Sequence, residues 1–63
     1  MACNCIKKNK ALEDAVAMAQ SEANTDKKTC VVFKQNGKIY HSHKTCWDKE
    51  EDKGYLLLVV YPE

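Results

Sequence analysis

Seven consecutive apolar residues, Tyr55-Leu56-Leu57-Leu58-Val59-Val60-Tyr61, occur in a chain of only 63, and any fold the chain adopts must find cover for them. Seven are too few to cross a bilayer, which takes about 20 in a helix. Their β-branched and aromatic members favour a strand, and unbroken apolarity, in place of alternation, marks a strand buried on both faces. Little else in the chain can bury it. Of the residues counted as hydrophobic, six are alanine and four are cysteine, which leaves eighteen larger apolar side chains. Ordering each residue costs about 1.5 kcal/mol of conformational entropy, so a single domain of this size needs a disulfide, a metal or a partner chain.

The rest of the chain supplies one helix and one hairpin. Leu12, Ala15, Val16, Ala19 and Ala23 recur at a spacing that puts all five on one helical face. The spacing predicts about four turns, with Asn9 as N-cap, Glu13 and Asp14 favouring the first turn and Asn24 as the stop. Two strands follow, Thr29 to Lys34 and Lys38 to His43, separated by Gln35-Asn36-Gly37. Asn-Gly tolerates the positive φ angles of a type I′ turn, which would set Phe33 opposite Tyr40, Val32 opposite His41 and Cys30 opposite His43. A type I turn with a bulge at Gly37 would shift the pairing by one; we favour type I′. Trp47 to Gly54 is acidic and reads as a solvated loop. The expected fold is α+β, one N-terminal amphipathic helix on a three-stranded antiparallel sheet, as a single domain over 1–63 with residues 1–8 a flexible N-terminus.

Composition narrows function more by exclusion than by assignment. Ten basic residues, all lysine, against nine acidic ones argue against a broad phosphate-binding surface, and the lack of arginine removes the usual bidentate reader of phosphate or guanine. The first residues carry no apolar run, so neither a secretory leader nor a membrane span is expected, and a reducing cytoplasm is the default location. No Gly-rich phosphate loop, carboxylate pair or nucleophile elbow appears, and the chain is read as non-catalytic.

Three binding chemistries remain. The first is a protein-interaction module, homodimeric or with another protein, using the sheet face away from the helix through Phe33, Lys38, Tyr40, Leu57 and Val59. The second is weak single-stranded nucleic-acid binding, since Lys27 to Lys44 holds five lysines and no acid, interleaved with Phe33, Tyr40 and two histidines. The third is zinc held by Cys30, His41, His43 and Cys46, although Cys3-x-Cys5 and His41-x-His43 lack the usual knuckle spacing, so no cofactor is the default expectation. A Cys30–Cys46 disulfide across the hairpin uses the same sulfurs, and a reducing compartment disfavours it.

Overall fold

The computed structural model describes residues 6–51 and 53–63. In chain order these form β1 (Lys7–Asn9), α1 (Leu12–Asp26), β2 (Cys30–Gln35), β3 (Lys38–His43), α2 (Lys44–Asp48) and β4 (Tyr55–Val60). The four strands make one antiparallel sheet in the order β1-β3-β2-β4. The α+β architecture with one main helix is as expected. The fourth strand, β1, is an addition: Lys7 to Asn9 alternate in no way that marks a strand, and the expectation places Lys7 and Lys8 in a flexible N-terminus and Asn9 at the helix N-cap. Pairing of Lys7 with His41 and Asn9 with Ile39 orders them. The Cys3-x-Cys5 pair lies outside the described residues.

The hairpin has the type I′ form. Asn36 and Gly37 both take positive φ, 54° and 77°, and Gln35 closes the turn on Lys38. The register therefore sets Cys30 opposite His43, Val32 opposite His41 and Phe33 opposite Tyr40. Side chains alternate across a strand, so Cys30, Val32, His41 and His43 share one face and Val31, Phe33, Tyr40 and Ser42 the other.

Helix α1 covers the first face. Ala15, Ala19 and Ala23 are fully buried and meet Cys30, Val32 and Val60, with Val16, Ile39, Leu57 and Leu58 packed around them. Small side chains on the helix let its axis approach the sheet, whose valines and leucines fill the space between. The helix ends differ from expectation. Ala11 is the N-cap and has no side-chain hydrogen bond, and Lys27, at φ 56°, takes the left-handed stop and donates its N–H to Ala23 O. Asn9 instead belongs to β1, and Asn24 stays inside the helix, its Oδ1 accepting from Gln20 Nε2 (2.9 Å) and from the backbone N–H of Glu63 (2.9 Å).

The second face is not bare. The segment read as a loop starts inside α2, and Trp47 packs against Phe33 with ring centroids 6.4 Å apart, while Tyr40 stacks on Phe33 at 5.6 Å. Lys53 fastens the return: its Nζ donates to the carbonyls of Trp47, Asp48 and Glu50 and lies 5.3 Å from the Trp47 ring, and Trp47 Nε1 donates to Lys53 O. Cys30, Val31, Val32 and Phe33 are consequently all buried. The strand hidden on both faces is β2, in the centre of the sheet, and not the longer apolar run of β4.

Gly54 leads into β4 with φ 61°, so close to β2 that an added Cβ would collide with the Lys34 carbonyl oxygen. A register shift between Val32 and Phe33 then interrupts the β2–β4 ladder: Leu58 faces Val32 and Leu56 faces Phe33. Strict alternation would turn Leu57 away from the helix. The bulge lets Leu57 and Leu58 both contact the helix-side core.

Candidate functional site

Beneath the helix, the two histidines meet two carboxylates placed one turn apart on α1. His41 is 1% exposed. Its Nδ1–H donates to Asn9 Oδ1 (2.6 Å) and its Nε2 meets the Glu22 carboxylate. His43 Nε2 pairs with Asp26 Oδ2 at 2.7 Å, and Lys7 Nζ reaches Glu22 from outside at 3.6 Å. Glu22 and Asp26 fall at i and i+4 and therefore on one side of the helix, while His41 and His43 project from one side of β3. The pairing was missed in the sequence; its signal is the i, i+4 acid pair flanking the Ala19–Ala23 stripe.

The four residues read as zinc ligands do not come together. Cys30 keeps a free, buried thiol that points at the Lys28 carbonyl (3.8 Å), so the Cys30–Cys46 disulfide does not form. Cys46, in α2, is disulfide-bonded, and not to Cys30. Burial pushes the Cys30 thiol above its ordinary range, and the nearby Glu22 and Asp26 carboxylates push it further. The donor atoms of His43, Glu22 and Asp26 lie within 4.8 Å of one another, a set of oxygens and one imidazole that matches a divalent transition metal. All three donors already have protein partners, so the cluster is also complete as a clamp between helix and sheet.

The residues read as an interaction surface are dispersed as well. Phe33 is 1% exposed beneath Trp47 and Tyr40 and cannot meet a partner. Leu57 packs on the helix-side core, Tyr40 and Val59 are half-buried, and only Lys38 is fully at the surface. The nucleic-acid platform loses two of its four rings in the same way, since Phe33 and His41 are interior while Tyr40 and His43 are half-buried. Some basic character survives in a shallow cleft of about 470 Å³ lined by Lys8, Lys10 and Lys38 beside Asn9, Gly37 and Ile39.

What the fold does leave open is an edge. β4 pairs with β2 on one side and with no other described strand on the second. It is six residues long and apolar throughout, and Tyr55, Leu56 and, just beyond it, Tyr61 are 70%, 39% and 68% exposed. Its far end is anchored: Gln20 Nε2 donates to Tyr61 O (3.1 Å) and Lys27 Nζ to Glu63 O (3.4 Å). An edge strand presents a row of unpaired backbone donors and acceptors, and here that row is fixed in place, uncharged and bordered by exposed aromatic rings. No helix of the described residues is long and apolar enough to cross a membrane. No protein-family model matches the chain, and no curated protein or solved structure matches it either.

Proposed function

We propose that this protein is a non-catalytic protein-interaction module whose β4 edge accepts an extended segment of another polypeptide by strand addition. One observation carries the reading: the most apolar strand of the chain occupies an edge of the sheet, with Tyr55, Leu56 and Tyr61 exposed along it. Natural edge strands are usually short, charged or covered. In strand addition the main chain supplies affinity through ladder hydrogen bonds, and alternate side chains supply selectivity. Here the neighbouring apolar side chains favour a partner segment that is itself apolar and free of proline. The functional surface moves from the sheet face expected from sequence to the sheet rim, and the interaction character of the reading is kept.

Selection from a displayed library of random eight-residue peptides tests this directly, with amide exchange as the map. Selected peptides should be rich in β-branched and aromatic residues and should slow exchange along Leu56 to Val60 while leaving β1 unchanged. Peptides that protect another surface, or a library that yields none, would overturn the proposal.

A further inference from the structure

Resting on the strand-addition reading, we infer that the segment β4 accepts is β4 of a second copy, paired antiparallel about a two-fold axis at Leu58. The sequence of the edge is close to self-complementary under that operation. Counting outward from Leu58, Leu57 faces Val59, Leu56 faces Val60 and Tyr55 faces Tyr61, so every apolar position meets an apolar one. The stretch from Tyr55 to Pro62 holds no charge, so a second copy meets no like charge along the pairing edge. Lys53 precedes it, with the exposed Lys34 beside Tyr55, and Glu63 follows it. Antiparallel pairing sets the Tyr55 end of each copy, with the exposed Lys34 beside it, against the Glu63 end of the other, twice per dimer, whereas parallel pairing would set like ends together; the Lys53 ammonium is already held by the carbonyls of Trp47, Asp48 and Glu50. The Lys27 ammonium near Glu63 is already held by that residue's backbone carbonyl.

The other edge decides that such an assembly closes. β1 is three residues long and carries exposed Lys7 and Lys8, a poor match for a six-residue apolar strand and a barrier to head-to-tail addition of β4 onto β1 of the next copy. With one edge guarded, pairing through the other is isologous, and the product is a two-fold dimer with an eight-stranded sheet and not a filament. Pairing also shelters Tyr55, Leu56 and Tyr61 against their symmetry mates, which answers the shortage of cover evident in a chain with so few large apolar residues.

Sedimentation equilibrium and native mass spectrometry over about 1 µM to 1 mM, a span covering weak to firm association, test the inference on the whole chain. The expected result is a species of twice 7.2 kDa, with exchange of the Leu56–Val60 amides slowing as concentration rises. Tyr61→Lys should weaken the dimer by about tenfold or more by setting a charge on the pairing edge. Glu63→Lys, at an exposed residue, should weaken it severalfold by adding a positive charge at each of the two ends that carry Lys34, on the order expected for exposed pairs. Circular dichroism confirms that each variant stays folded. A monomer throughout the range, or a dimer whose β4 amides exchange at the monomer's rate, would overturn the inference. A monomer that still captures displayed peptides on β4 would overturn it while leaving strand addition intact.

Discussion

The two edges of the sheet are built on opposite plans. β1 is short and lysine-bearing, and it is held by polar contacts: Asn9 accepts from His41, and Lys7 reaches Glu22 on the helix. β4 is twice as long, has no charge, and is held by burial, with Leu57, Leu58 and Val60 in the core shared with α1. The contrast shows that edge protection need not be symmetric. Guarding one rim with lysine leaves the other free to carry contacts, and β4 packs its inner residues on the core while its outer side stays open.

The contrast breaks most visibly under truncation. Removing the chain from Tyr55 onward takes away one of the two strands that flank β2 and five of the eleven valine, leucine and isoleucine side chains, so the remainder should show no cooperative thermal transition. Removal of residues 1–8, which takes out most of β1, should leave a cooperative transition at a lower midpoint. If the β4 truncation still unfolds cooperatively, the apolar edge is not what holds the fold together. Point substitutions sharpen the same comparison. Leu58→Ala should cost about 2 kcal/mol or more by denaturant unfolding, the low end for a core leucine because Leu58 is only partly buried. Asn9→Ala should cost about 1–2 kcal/mol, the penalty for leaving the buried His41 nitrogen without its acceptor. Lys8→Ala, at an exposed position, should fall within about 0.5 kcal/mol of the parent, and a larger loss would show that β1 contributes packing as well as charge.

Local chemistry explains what could be read from the sequence. The hairpin and its register follow from two residues, since Asn36 and Gly37 are among the few that accept positive φ in succession, and the pairing of Cys30, Val32 and Phe33 with β3 then has no freedom left. The helix face was equally legible, because Ala15, Ala19 and Ala23 repeat at every fourth position. Its ends were not. Asn9 and Asn24 have the chemistry of caps, but tertiary partners, His41 for one and Gln20 with Glu63 for the other, claimed their side chains. Position in the sheet was invisible for a different reason. Continuous apolarity reports burial on two faces, and β2 achieves it with four residues by lying under α1 on one face and under Trp47 and Tyr40 on the other, while β4 spends its apolar side chains through a bulge that no local pattern encodes. Helix α2 shows no signal because five residues, Lys44–Asp48, make too few turns to show a period. The candidate site was therefore half legible: the apolar run itself was plain, but its place on the rim depends on strand order.

The finest test of the two edges uses Cys30 as a reporter. It lies opposite Val60 of β4 and His43 of β3, so a reagent can reach its thiol only when this part of the core opens. In the folded chain its pKa is raised above that of the unfolded chain, first by burial and then by Glu22 and Asp26. The thiol form is thus favoured in the fold. Its contribution to stability is complete at neutral pH and declines as pH rises through the unfolded thiol's pKa toward the higher folded value. Between about pH 8 and 10, the window of an ordinary thiol, the parent should lose more stability than Cys30→Ala, and equal losses would remove burial of the thiol as the cause. At neutral pH, alkylation of Cys30 should be slow in the parent. If opening proceeds through the β4 edge, Leu58→Ala will accelerate alkylation more than Asn9→Ala does. The reverse order would assign the weaker attachment to the polar edge and invert the comparison.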